Sequence, residues 1–315
     1  MLKSFKTSVV TGLLCLVPAA AFAQAPQFRL SEVRSQIVFD ELTNDQKRII
    51  AEEAQLLLRG LYVHRFEKPL FYPGILDPVA AVEEVVNNIE SISTTEMELR
   101  LFEIFASQRD LHLNYIFPPP YSFWQSFLPF SLRRTVARDD QFEARISSVD
   151  AALFAQFAPG QRVPAVGDKI LEYGGMSIFE AVEAEKEIAQ GANKYGGFTR
   201  AIDQLTFKTQ FLVPVPPTDT VELTIQPVDR KAEPYTIVLP WIVEYFGPPL
   251  PGLEDSTGVN INQAGGPLAA PGAVRTETDL VKALNRGEDL YEFSRQRFLD
   301  NHPALKIRSE YPNNP

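Results

Sequence analysis

The chain has 315 residues, 45% of them apolar, with 40 acidic against 30 basic side chains and a formal charge of −10. That apolar content excludes wholesale disorder, the length allows two modest domains with real cores, and the acidic balance without any Lys/Arg cluster argues against a nucleic-acid partner. A single cysteine, Cys15, excludes disulfides within the chain and thiolate metal clusters.

Lys3 and Lys6 precede an apolar run from Val9 to Phe22, and Ala21-Phe22-Ala23 offers small residues where a signal peptidase reads, so residues 1–23 have the form of a secretory signal. The run is short and contains Pro18, which disfavours a transmembrane anchor. No later stretch has the apolar length to span a bilayer. The expectation is a bacterial periplasmic or secreted protein with no membrane partner once the signal is cleaved.

Thr43 and Gln46 form a capping-box pattern before "KRIIAEEAQLLLRGLY", where Ile50, Ala54, Leu57, Leu58 and Leu61 recur at helical spacing. Asp77-Pro78 opens a second helix, with Val79, Val82, Val86 and Ile89 as its stripe. Ser93 and Glu96 open a third, carrying Met97, Leu101, Phe102 and Phe105. Residues 24–107 therefore read as a helical domain.

In "QRDLHLNYIFPPPY" polar and apolar residues alternate until Pro118-Pro119-Pro120. Read as a strand, Asp110, His112 and Asn114 face one side and Leu111, Leu113 and Tyr115 the other, which puts His112 on a polar face close to a sheet rim. Further strands follow as "FSLRRTV", "FEARISSV" after a turn at Arg138-Asp139-Asp140, "KILEYGG", "VELTIQPV" and "YTIVLPWIVEY". They are interrupted by the helix "IFEAVEAEKEIAQ", with Ser177 as cap and Phe179, Val182, Lys186 and Ala189 along one side. Residues 108–245 thus make a second, mainly β module. Gly, Pro, Asn and Ala dominate 246–275, which reads as a linker. In 276–315, a helix from about Glu277 to Leu299 has to bury its stripe on an earlier domain or on another chain. The fold class is α+β.

No serine-nucleophile elbow, phosphate loop, metallopeptidase helix or dinucleotide fingerprint is present. His64, His112 and His302 have no metal-ligand spacing, and neither metal nor cofactor is expected. His64 lies in a loop, where bonding to neighbouring groups is the simpler reading. His112 is open between a surface histidine and a general base, with Asp110 able either to fix the ring or to cap a turn.

Three runs taken together, "LYVHRFEKPLFYPGILDPVAAVE", "FEIFASQRDLHLNYIFPPPYSFWQSFLPF" and "VGDKILEYGGMSIFEAVE", resemble the front half of secreted tail-specific, or C-terminal processing, serine proteases, in the branch akin to the chlamydial protease-like activity factor. The resemblance implies that His112 is the catalytic histidine. It implies a PDZ-like small barrel or sandwich built on the Val166–Gly175 signature. A peptide or protein C-terminus would bind between Phe127, Leu128 and Phe130 and the helix face of Phe179, Val182 and Lys186. Pro129, lacking an N–H, departs from a carboxylate-binding loop. The family's serine, oxyanion donors and acidic partner have no counterpart here, so the expectation is a chain inactive alone that works with a separate catalytic domain. A stand-alone PDZ-like peptide-binding protein and an interaction protein docked through its terminal helix are the alternatives.

Overall fold

The computed structural model describes residues 25–136, 142–189, 191, 194–229, 231–248, 286 and 289–306. The signal segment, the Asp139-Asp140 turn, nearly all of the linker and the first part of the last expected helix lie outside the described residues.

Local signals set the first helices. Helix α2 (Asn44–Gly60) starts at Thr43, whose hydroxyl accepts the Gln46 N–H while the Gln46 side chain accepts the Thr43 N–H. Each such cap stabilises a helix by about 1 kcal/mol. Helix α4 (Pro78–Asn87) is capped by Asp77 and has Pro78 in its first turn, and α5 (Thr94–Ser107) is capped by Ser93. These three pack around Ala51, Leu58, Val82, Val85, Ile89, Met97 and Leu101. The buried Lys47 ammonium donates to the carbonyls of Ile89 and Ile92 at 2.9 and 2.6 Å, satisfying two acceptors of the turn between α4 and α5.

Helix α5 is the wall between two cores. Met97, Leu101 and Phe105 face the helical bundle, whereas Phe102 and Ala106 face a larger core shared by two antiparallel sheets. The smaller sheet has the order β1-β10-β2-β7, comprising β1 (Gln27–Arg29), β10 (Ile242–Tyr245), β2 (Trp124–Phe127) and β7 (Phe207–Thr209). The larger runs β3-β4-β5-β8-β9, comprising β3 (Phe130–Val136), β4 (Phe142–Val149), β5 (Lys169–Tyr173), β8 (Thr220–Gln226) and β9 (Tyr235–Pro240), with the two-residue β6 (Met176–Ser177) beside β5. Both sheets are open, so the fold is α+β without a closed barrel.

Two differences from the sequence reading have one cause. "YTIVLPWIVEY" is not one strand: at Trp241 the chain passes from the larger sheet to the smaller. Residues 27–39 likewise belong to the larger core, through Phe28, Leu30, Val33, Ile37 and Phe39, and not to the helical bundle. Both features depend on partners far away in sequence, which local periodicity does not encode.

Helix α7 (Ile178–Lys186) is capped by Ser177 as expected, but its buried residues are Ile178, Ala181 and Val182, and Phe179 is 54% exposed. Helix α8 (Lys194–Gln204) was not expected from its Gly-rich start. Phe198, Ala201, Ile202 and Leu205 bury at helical spacing, and Phe198 meets Phe142 edge-on at 4.3 Å. The last helix, α9 (Leu290–Asn301), docks on its own chain: Phe298 stacks on Phe207 with ring centroids 4.5 Å apart.

Helices α8 and α9 are joined by ion pairs Arg295–Asp203 at 3.0 Å and Arg200–Asp289. Burial pushes the Asp203 carboxyl up to about 6, against the opposing pull of Arg295. The folded chain thus holds this proton more tightly than the unfolded chain, whose carboxyl titrates at the ordinary value of 3.8. Its contribution to stability therefore grows as pH falls from about 6 toward 4 and is lost as pH rises. Melting curves of wild type and Asp203→Asn should show the wild type gaining several degrees on the variant between pH 7 and pH 4, and a pH-independent difference would contradict this.

Candidate functional site

The segment after α5 is where chemistry was expected. It is not a ladder strand: Arg109 adopts a left-handed backbone (φ 50°), and a turn follows it. One carboxylate oxygen of Asp110 accepts the N–H of His112 at 3.0 Å, and the Asp110 carbonyl accepts the N–H of Leu113 at 3.1 Å. Such a local side-chain bond competes directly with ladder pairing. Beyond the turn the chain is extended, Leu113 and Phe117 are buried, and the Phe117 N–H reaches the Phe211 carbonyl at 3.1 Å. The expected alternation is thus kept from Leu113 onward without a sheet to impose it.

A left-handed non-glycine residue costs of order 1 kcal/mol and persists only where its surroundings hold it. Here the Lys68 ammonium donates to the Arg109 carbonyl at 2.9 Å, and the Arg109 guanidinium bonds both carboxylate oxygens of Glu187 at 3.1 Å and lies 5.5 Å from the centroid of the Tyr72 ring. Two separate parts of the chain, residues 68–72 and Glu187, therefore pin the turn that carries His112.

His112 projects outward, its side chain 85% exposed, with Nδ1 3.6 Å from Oδ1 of Asp110. Asp110 itself is buried, and its second oxygen accepts the Tyr62 hydroxyl at 3.3 Å. Burial, and next the Asp110 charge, push the Tyr62 phenol far above its ordinary range, so it remains a donor to that carboxylate. Asp110 consequently does both things the sequence left open, forming the turn and facing the ring. At 3.6 Å it faces the ring without a direct hydrogen bond. Among the described residues the His112 ring meets Asp110, and no serine hydroxyl bonds to it.

The other histidines differ. His64 is exposed, its Nδ1 2.9 Å from Glu67 Oε2, as a loop residue satisfying its neighbourhood. His302 is buried, with Nε2 2.8 Å from Oε1 of Glu244, whose two oxygens also accept the side-chain amides of Gln27 and Gln125 at 2.7 and 2.8 Å. This buried polar cluster ties the end of α9 to β1, β2 and β10. Sequence reasoning missed it because its members lie at positions 27, 125, 244 and 302. No group of His, Cys, Asp and Glu suited to hold a metal exists among the described residues.

The expected peptide-gripping residues need correction. Phe127, Leu128, Phe130 and Val182 are fully buried core side chains. Phe127 lies against Phe298 and His302, each at 4.9 Å. The Leu128 N–H is donated to the Thr206 carbonyl at 2.9 Å and Pro129 has none, so the Phe127–Phe130 turn has no donors at these two positions to offer a carboxylate. Helix α8 packs against β3, where Arg134 lies 5.4 Å over the Phe198 ring. Phe179 is exposed and Lys186 is paired with Glu183, so these two alone of the six remain near a surface. The physical reason is that the apolar residues a groove requires have been drawn into the sheet-sheet core.

No protein-family model matches the chain, and no curated protein matches it. Among solved structures it is similar to mature CPAF, the chlamydial protease-like activity factor, with 15% identity and a TM-score of 0.48 over 63% of this chain and 34% of that one. It is also similar to the same protein complexed with lactacystin, with 15% identity, a TM-score of 0.47, and 63% and 35% coverage. A third is the photosystem II D1 C-terminal processing protease, with 10% identity, a TM-score of 0.22, and 64% and 44% coverage. The chain spans about a third of the length of the first of these.

Proposed function

We propose that this chain is an exported, histidine-bearing portion of a tail-specific serine endopeptidase, in which His112 is the general base and Asp110 its positioning residue. The serine it would serve comes from a catalytic lobe that docks on the His112 rim, and the described portion has no turnover of its own. The observation that carries the reading is the Asp110–His112 turn: a ring open to an approaching hydroxyl on its Nε2 side, with a buried carboxylate behind its Nδ1 side. A general base needs that arrangement, because the carboxylate sets the tautomer and stabilises the imidazolium that forms when the hydroxyl proton is taken. The pinned backbone of Arg109 supports it further, since positioning within fractions of an ångström is what a shared site demands.

The test uses the protein as isolated from its native source, in whatever assembly it forms, with a fluorescent phosphonate that labels activated serines. His112→Ala should slow labelling by at least about 10³-fold and Asp110→Asn by less, while His64→Ala leaves it unchanged. Labelling indifferent to His112→Ala would remove His112 from the chemistry. Turnover by the isolated chain that depends on His112 would show instead that no separate lobe is required.

A further inference from the structure

One guanidinium lacks the partner that comparable ones have. Arg34, Arg65, Arg109, Arg145 and Arg295 are all partly buried, and each faces a carboxylate at 2.6 to 3.5 Å. Arg134, in β3, is partly buried too, yet among the described residues it makes no ion pair, and its Nε is sealed from solvent without an acceptor. The Phe198 ring, 5.4 Å from the guanidinium carbon, holds it in place. A buried donor left without an acceptor is uncommon in a folded protein and calls for a cause. Because the residue keeps part of its surface, the guanidinium is reached from its outer edge, with its fork of donors uncommitted.

The ladder explains why no internal carboxylate fills the fork. Arg134 stands opposite Ala144, so Phe142, two residues along β4, lies on the same sheet face. Glu143 falls between them on the other face, where it bonds Arg145 and Lys169. On α7, Glu180 is engaged in the Ser177 cap and Glu183 pairs with Lys186. What surrounds Arg134 instead is aromatic. Phe142 and Phe198 meet at 4.3 Å, and Phe179, from the first turn of α7, lies 6.5 and 6.1 Å from them. Phe179 is 54% exposed and Phe142 partly so, which makes the rings a surface floor beside an unpaired cation. The planar fork matches a carboxylate, and the rings match an apolar group attached to it. Fork and outermost ring are both immediate neighbours of Phe198, so one small molecule can touch both.

We infer that Arg134, Phe142, Phe179 and Phe198 form a binding site for a carboxylate joined to an apolar group, with the carboxylate on the Arg134 fork and the apolar part over Phe179 and Phe142. A small organic acid and the last residue of a peptide share that chemistry. The site is separate from the Phe127–Phe130 turn, where the Leu128 N–H is already bonded, and it stands whether or not His112 is catalytic.

The test titrates the full chain with 4-(4-fluorophenyl)butanoate and follows the fluorine resonance of the ligand. Binding should saturate with a Kd on the order of 1 mM, the affinity that about a dozen heavy atoms supply. The corresponding amide should bind at least about tenfold more weakly, since it forfeits the charge-assisted pair. Arg134→Gln and Phe179→Ser should each weaken the acid by about tenfold. Both variants should keep the wild-type circular dichroism, because Arg134 bonds nothing and Phe179 is half outside the core. Arg133→Gln, on the opposite sheet face, should leave binding unchanged. Competition by an acetylated tetrapeptide ending in phenylalanine with a free carboxylate then names the source: displacement at a lower concentration than the small acid needs supports the site as one for peptide ends, and displacement at an equal or higher concentration supports it as one for small acids. No saturation below about 10 mM, equal binding of acid and amide, or binding indifferent to Arg134→Gln overturns the inference.

Discussion

Asp168→Ala lowers the free energy of unfolding by about 3 kcal/mol. Asp168 is 2% exposed, and its carboxylate accepts three donors: the N–H of Ala165 at 2.9 Å, the N–H of Val228 at 2.9 Å and the Tyr235 hydroxyl at 3.2 Å. Burial and the nearby Asp168 charge push the Tyr235 phenol up to about 12, so it stays a donor at any ordinary pH. Gly167, beside it, has φ +94° and an N–H bonded to the Ile146 carbonyl at 2.8 Å, and a Cβ there would stand 2.9 Å from the Val228 side chain. The Gly-Asp pair of "VGDKI" therefore knots β4 and the start of β5 to the turn after β8 and to β9. Removing the carboxylate strands three donors at once, two of them backbone groups with no freedom to turn toward water. Asp168→Asn keeps one acceptor oxygen and should lose about half as much. Urea unfolding at constant m-value measures both, and a loss below about 1 kcal/mol for alanine would show that the donors find other partners.

What the sequence disclosed divides by range. The caps at Thr43, Asp77, Ser93 and Ser177 are contacts within about three residues, so composition and spacing were enough to place the starts of α2, α4, α5 and α7. Sheet partners were not legible, because β1 pairs with β10 more than two hundred residues away and nothing in "QFR" announces it. The His112 turn shows a finer failure. Alternation suggested a strand, but the short side chain of Asp110 offered the backbone a nearer partner than any neighbouring strand. The same arithmetic of partners explains the groove residues. "FLPF" was read for the donors it might present, whereas its Leu128 N–H is consumed by Thr206, and its aromatic rings fill the space between two sheets and α9.

Phe298→Ala removes the centre of the contact through which α9 joins the sheets, and should cost about 3–5 kcal/mol. The ring stacks on Phe207 with an interplanar angle of 26°, lies 4.9 Å from Phe127, and covers His302 at 4.4 Å. Its loss opens a cavity beside the buried Glu244–His302 contact, so water would reach a polar cluster that the stack keeps dry. Leu290, Tyr291, Leu299 and Leu305 are buried in the same core around that ring, and the other ties are polar: Asp289 caps α9 and pairs with Arg200, and the hydroxyls of Ser131 and Ser148 donate to the Leu305 carbonyl at 3.1 and 2.7 Å. Polar ties exchange for water at small net cost, so the apolar stack decides whether residues 289–306 stay down. Hydrogen exchange should therefore show protection lost first in α9, β7 and β2, while α2, α4 and α5 keep theirs, since Leu58, Ile89 and Leu101 belong to a separate core. Equal loss in both regions would mean that α5, which borders both cores, couples them into one cooperative unit.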